Sequence, residues 1–264
     1  MGVVCYPSPG KRKGLKICRA FAEGCGGRVA AAGQARLEGD AAFFYGWTEH
    51  TAQLIETCRR EGRDWYYADN AYYFGRGQYF RVTHGALMHE GGGDAGAARF
   101  DRFGLTVKPW RRDGRHIVVA TQSELFYKIH LGVCRDDWVL KIAADVRRHS
   151  DRPLVVCHKP PLPWPGGFPH INFEKALPGA WAVVSHSSSV MVKALIEGVP
   201  VFSLGRSMAS AMGYREISRI ETPRRPDGRT RWLCNLAANQ WTRDEMRDGT
   251  CWRDLQRMRK RGAA

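Results

Sequence analysis

The chain has 264 residues, 44% of them hydrophobic, a mean hydropathy of −0.42, and a net charge of +15 from 41 Lys and Arg against 26 Asp and Glu. That length suits one large α/β domain or two small ones, and the composition excludes a disordered or collagen-like chain. No stretch approaches the roughly 18 to 20 apolar residues of a membrane span, and the charge favours polyanions such as nucleic acid, nucleotide phosphates or an anionic membrane surface, with plain solubility as the alternative.

The opening MGVVCYPSPGKRKG has no charged segment ahead of its short apolar run and does not read as a secretory signal. Eight scattered cysteines without CxxC or paired zinc spacing predict buried, reduced thiols in a cytoplasmic protein. GVVCY reads as a buried strand, and LKICRAFAEGC has helical apolar spacing that stops at Gly26 and Gly27. AAFFYGW is a second strand, followed by a helix capped by Thr48 and stopped by Gly62. WYYADNAYY supplies a third strand with Asp69 near its carboxyl end. Strands alternating with helices predict a parallel sheet, in which ligands gather at the carboxyl ends of the strands. From Phe74 to Trp110 the pattern reads as glycine-rich extended loops ahead of a boundary between Pro109 and Gly114.

A second unit follows: HIVVAT as strand, DDWVLKIAADVRRHS as helix with Asp136 and Asp137 at its positive end, then PLVVCHKP and AWAVVSHSSS as strands. VMVKALIEG reads as a helix and VPVFSLG as a further strand. RWLCNLAANQWTRDEM and the basic tail read as helices that pack back. The expected division is 1–110, 111–225 and 226–264, two Rossmann-like halves and a helical tail.

The stretch AWAVVSHSSSVMVKALIEGVPVF runs a buried strand into small hydroxyl residues and then directly into a helix. The first amides of such a helix are unpaired and suit an anion, with the hydroxyls of Ser187, Ser188 and Ser189 as added donors beside His186; the other reading is an ordinary capped helix. His158 and Lys159, at the preceding strand end, could neutralise a leaving diphosphate without a metal, and no Asp-x-Asp motif occurs.

This stretch resembles the C-terminal half of GT-B glycosyltransferases, where a strand, a small-residue turn and a helix ending in an acidic residue plus GxP hold a nucleotide sugar. The resemblance implies a GT-B-like α/β fold, two Rossmann-like halves with parallel sheets facing a cleft and C-terminal helices packing back. It also implies that Glu197 binds the ribose hydroxyls. HKP at His158 to Pro160 and the Ser187, Ser188 pair are similar to the HP and SS motifs of capsule Kdo transferases and bacterial polysialyltransferases, with Lys159 inserted here. The order of DRP at Asp151, KP at Lys159, AWAVV, SS, GVPVF, the Met212, Gly213 pair and NQWT at Asn239 resembles compact phage-encoded glycosyltransferases.

The resemblance implies an enzyme moving a sugar from a nucleotide sugar, UDP-linked by preference, with no permanently bound cofactor and no metal. With the net charge, it makes a hydroxymethylated pyrimidine in duplex DNA the expected acceptor. A surface glycan, and a non-catalytic nucleic-acid-binding protein on the same scaffold, are the alternatives. A monomer is expected, in the host cytoplasm if phage-encoded. Inverting transfer needs a base, for which Asp69 at a strand end comes first and His84, His89 and Asp94 in the glycine-rich region follow. Arg76, Arg81, Arg111, Arg112 and Arg115 are the expected DNA contacts, with Tyr79, Phe80 and Trp110 as stacking surfaces or simply core. The glycines at 75, 77 and 91–93 could be acceptor loops, but match no phosphate-binding fingerprint.

Overall fold

The structure is a computed structural model that describes residues 2–75, 77–93, 95–158 and 171–262. The chain divides into two compact units, Met1–His89 with Asn239–Ala264, and Glu90–Ala238.

The first unit opens with β1 (Val3–Tyr6), α1 (Arg12–Cys25), the short β2 (Arg28–Val29), β3 (Ala41–Tyr45), α2 (Glu49–Glu61), β4 (Asp64–Asn70) and β5 (Tyr79–His84). The end of α1 follows from Gly26, whose φ of 66° is the left-handed conformation that glycine adopts without strain. At the start of α2 the Thr48 hydroxyl accepts from the Thr51 amide, and the Thr51 hydroxyl accepts from the Thr48 amide, a reciprocal cap. β5 lies inside the segment expected to be loops. Its glycine-rich flanks hide a six-residue strand that runs antiparallel to β4.

The second unit contains α3 (Ala98–Asp101), β6 (His116–Ala120), α4 (Glu124–Leu131), α5 (Arg135–Arg147), β7 (Leu154–Cys157), α6 (Phe173–Ala176), β8 (Ala180–Ser185), α7 (Val190–Ile196), β9 (Val201–Ser203) and α8 (Arg229–Ala238). Its four-stranded sheet has the order β7-β6-β8-β9 and is parallel throughout. Ile117, Val119, Val184 and Phe202 from the strands pack against Trp138, Val139 and Val146 of α5.

The chain then returns to the first unit as β10 (Gln240–Thr242), α9 (Arg243–Arg247) and α10 (Thr250–Gly262). NQWT, expected to be helical, is therefore a strand, pairing antiparallel with β5. The six-stranded sheet has the order β10-β5-β4-β3-β1-β2, parallel from β4 to β2 with an antiparallel edge. Successive residues enter opposite cores because strand side chains alternate. Val3, Cys5, Phe43 and Tyr66 face α1 and the returning residues Trp241, Met246 and Leu255, while Val4, Tyr6, Phe44 and Tyr67 face Leu54 and Ile55 of α2. The C-terminal helices thus pack back, against α1. A Cβ on Gly24 would sit 1.9 Å from the Met246 carbonyl oxygen, so the approach of α1 to α9 requires glycine there. Among the described residues no helix is long and apolar enough to cross a membrane.

Candidate functional site

Four parallel strands of the second unit end side by side, and the residues at and just beyond their ends make a set of neighbouring polar contacts, the donor-edge network. Thr121 Oγ1, after β6, lies 3.2 Å from Nδ1 of His158, after β7. Ser185, at the end of β8, donates its hydroxyl to the Ala120 carbonyl at 2.6 Å and accepts from the Ser188 amide at 3.3 Å. Gln122 Nε2 donates to Ser187 Oγ at 2.6 Å, and the Tyr127 hydroxyl holds the Gln122 carbonyl at 3.1 Å. His186 Nδ1 lies 3.2 Å from Ser187 Oγ. After β9, Ser203 Oγ donates to the Gly205 carbonyl at 3.0 Å and lies 2.6 Å from Ser207 Oγ.

Ser189 takes helical angles (φ −64°, ψ −14°) and makes no side-chain capping bond, so its own hydroxyl is not there as a cap. Gly205 lies against the His186 ring, where an added Cβ would stand 2.1 Å from Cε1. Burial lowers the His186 pKa, and the neighbouring His130 and Arg215 lower it further. Neutral donors backed by nearby cationic groups can hold an anion that also carries hydroxyls. Among the described residues no group of three or more His, Cys, Asp or Glu is placed to hold a metal ion. Lys159 lies outside the described residues.

The structure does not bring Glu197 to this network. α7 runs back from the carboxyl edge, and Glu197 follows its last turn at the amino edge, four residues before β9. There Glu197 accepts from Lys108 Nζ at 2.5 Å and lies 3.6 Å from Lys193 Nζ. Burial opposes its ionisation, but the two lysines hold its pKa below the ordinary value. Its neighbourhood pins the 108–111 segment to α7: the Lys108 amide donates to the Ile196 carbonyl and the Arg111 amide to the Gly198 carbonyl, both at 2.8 Å.

In the first unit Asp69 does stand at the carboxyl edge of the parallel strands. Its Oδ2 accepts from Arg81 Nη2 at 2.9 Å and from the Tyr67 hydroxyl at 3.2 Å, and its Oδ1 accepts from the Asn70 amide at 2.7 Å. Lys13 Nζ donates to Asn70 Oδ1 at 2.6 Å, and the Tyr45 hydroxyl reaches the same oxygen at 3.3 Å. Burial raises the Tyr45 and Tyr67 pKa values, and the Asp69 charge adds to both. His84 is elsewhere. Strand register sets Asp69 opposite Arg81 and Tyr66 opposite His84, so His84 lies three residues toward the other edge, about 10 Å at ~3.3 Å per residue. There its Nε2 lies 3.0 Å from Asp64 Oδ1, beside Arg259 on the other oxygen at 2.6 Å. The His89 amide donates to the Tyr72 hydroxyl at 2.9 Å, and Asp94 lies outside the described residues.

The expected DNA contacts are not one surface. Arg81 is 8% exposed, its guanidinium engaged by Asp69 and the Asn70 carbonyl. Arg111, half-buried, donates to the Leu177 and Ala180 carbonyls. Arg112 and Arg115 are exposed, and Arg76 lies outside the described residues. Phe80 is core, and Trp110 donates its Nε1 to the Pro226 carbonyl with the Arg229 guanidinium 4.0 Å from its ring centre. Gly91 is fixed by packing: a Cβ there would stand 2.0 Å from the Trp232 ring.

Thr121, Gln122, Tyr127, Ser203 and Ser207 were not candidates on sequence. Their signal is a polar TQS directly after HIVVA and a serine ending VPVFS, each at the carboxyl end of a buried run.

The chain is similar in fold to two solved structures of KpsC from Thermosulfurimonas dismutans. One is described as a beta Kdo 2,4 transferase, with a TM-score of 0.55 at 13% identity, over 89% of this chain and 90% of that one. The other is described as a beta Kdo 2,7 transferase, with a TM-score of 0.53 at 14% identity, over 98% of this chain and 100% of that one. No protein-family model and no curated protein matches the sequence. The likeness, with two sheets of mainly parallel strands, supports the GT-B-like fold expected from the sequence.

Proposed function

We propose that this chain is a glycosyltransferase that takes a sugar from a nucleotide-sugar donor, UDP-linked by preference, held at the carboxyl edge of the second sheet. The observation that carries this reading is the meeting of Thr121, Gln122, His158, His186, Ser187 and Ser188 at neighbouring parallel strand ends. Serine hydroxyls and the Gln122 amide would fix the phosphates, and the imidazoles with His130 and Arg215 would offset the charge on the departing nucleotide. Similarity in fold to two Kdo transferases supports sugar transfer over other uses of a Rossmann-like pair. In the reaction the acceptor hydroxyl attacks the anomeric carbon, the bond to the nucleotide phosphate breaks, and a base takes the hydroxyl proton. Asp69 is the base in this reading, because it stands at the carboxyl edge of its own sheet whereas His84 stands toward the other edge.

For the acceptor, the +15 charge supports a hydroxymethylated pyrimidine in DNA. The second reading is a surface glycan, supported by what the two structural neighbours are described as doing. The test is mass spectrometry of hydroxymethylcytosine duplex and of Kdo-terminated oligosaccharide after incubation with UDP-, GDP-, CMP- and TDP-sugars. A hexose-sized mass gain on the duplex supports the first acceptor, a gain on the oligosaccharide the second. No gain on either, and no donor hydrolysis, would overturn the transferase reading.

A further inference from the structure

At the amino edge of the second sheet, three segments far apart in sequence are locked together: 111–115, 147–152 and 221–229. Together they hold nine arginines, no lysine and four carboxylates. Arg152 Nε donates to both Glu221 oxygens at 3.1 Å, another of its nitrogens donates to the Gly114 carbonyl, and Ser150 donates to Glu221. Arg225 Nε donates to the Arg111 carbonyl at 3.0 Å. The Arg152 and Arg225 guanidinia lie 4.1 and 5.2 Å from the Trp181 ring centre, and Trp181 Nε1 donates to the Ile220 carbonyl at 2.8 Å. Arg111, Arg152 and Arg225 therefore build the scaffold.

That scaffold leaves Arg112, Arg115, Arg147, Arg148, His149 and Arg224 exposed around it. Arg115, Arg147, Arg148 and His149 line a concavity of about 590 Å³. The C-terminal dipole of α5 explains Arg147 and Arg148. It does not explain Arg112, Arg115 and Arg224, which lie on other segments. Burial lowers the Arg225 pKa and Arg112 lowers it further, a sign that like charges crowd here.

We propose that this face binds the phosphate backbone of duplex nucleic acid without reading its sequence. Arginine forks match phosphate oxygens two at a time, and a face held by structural bonds offers them with little ordering cost. The face lies at the opposite edge of the sheet from the proposed donor network, so it would hold a polymer and not take part in transfer. The proposal does not depend on DNA being the sugar acceptor.

The test is fluorescence anisotropy of an unmodified duplex of about 20 base pairs across salt from about 50 to 300 mM, where affinity should fall log-linearly with salt. The variant Arg112→Gln/Arg115→Gln/Arg148→Gln should bind at least tenfold more weakly at low salt and lose about 2 to 3 from the slope, at roughly 0.9 per phosphate contact. Lys11→Gln/Arg12→Gln/Lys16→Gln, in the first unit, should keep the wild-type slope. Circular dichroism melts of each variant separate lost binding from lost folding. An unchanged slope in the arginine variant, no binding of the wild-type duplex at low salt, or polygalacturonate displacing the duplex at equal charge concentration would each overturn the proposal. Loss of duplex binding with sugar transfer to a glycan intact would leave the transferase reading standing, which keeps the two distinguishable.

Discussion

Asp69 Oδ2 accepts a hydrogen bond from Arg81 Nη2 at 2.9 Å across the antiparallel pair β4 and β5, with Arg81 only 8% exposed. Burial works against the Arg81 charge, yet Asp69 and three tyrosines raise its pKa. One carboxylate is thus asked both to balance a buried cation and, in the proposed reaction, to take a proton.

The two roles separate by substitution. Asp69→Asn should cost about 3 kcal/mol in a urea melt by leaving Arg81 short of a counter-charge, and should lower turnover by roughly 10² to 10⁴ with donor affinity nearly unchanged. Adding Arg81→Met should recover most of the stability and none of the turnover. Turnover that returns with stability would make Asp69 a structural partner of Arg81 and not the base.

Glu197→Gln should leave nucleotide-sugar affinity unchanged by calorimetry, since Glu197 lies at the opposite edge of its sheet from the serines. A surface pair of this kind contributes about 0.5 to 1 kcal/mol, Lys108 being 59% exposed. Because folding lowers the Glu197 pKa, its contribution is present above about pH 4.3 and is lost as pH falls through the folded value. Melts of wild type and variant should therefore converge toward acid pH. A ligand affinity that drops on this substitution would restore Glu197 as a ribose partner.

Burial, and after it His130 and Arg215, lower the His186 pKa. Its folded pKa lies below the ordinary value of about 6.5, so the unfolded chain takes up the proton first and stability is lost as pH falls from there through the folded value. A bound nucleotide phosphate favours the imidazolium, so donor affinity should rise as pH falls below about 6.5. His186→Gln should flatten that rise. A wild-type affinity independent of pH would remove His186 from the phosphate site.

Gly205→Ala drives a methyl into the His186 ring. An overpacked contact of this kind costs about 1 to 3 kcal/mol, and donor binding should weaken with it because the ring must leave Ser187. Unchanged affinity would separate the His186 position from donor recognition.

Much of the architecture is legible in residue order. Val3–Tyr6 and Ala41–Tyr45 are uninterrupted apolar runs, and Ala180–Ser185 is one up to its final serine, because their strands are buried on both faces, and Thr48 and Gly62 mark helix ends by their own chemistry. β5 escapes because it lies among glycines, and β10 because it is a three-residue edge strand beside helical sequence, whose pairing with β5 joins residues more than 150 apart. Ser187 and Ser188 are legible as strand-end hydroxyls. Gln122 is not, because only the fold brings it to Ser187, 65 residues on. Glu197 lies apart from the serines for a geometric reason: the seven residues of α7 carry it from one edge of the sheet to the other.

Thermal melting with a panel of UDP-, GDP-, CMP- and TDP-sugars at millimolar concentration, on wild type and on Gln122→Ala/Ser187→Ala, tests the donor site most directly. One nucleotide class should raise the wild-type Tm, as about 2.7 kcal/mol of stabilisation at a hundredfold excess over Kd requires, and the double variant should lose most of that rise while still melting cooperatively. No rise with any nucleotide sugar, or an equal rise in the variant, would contradict it.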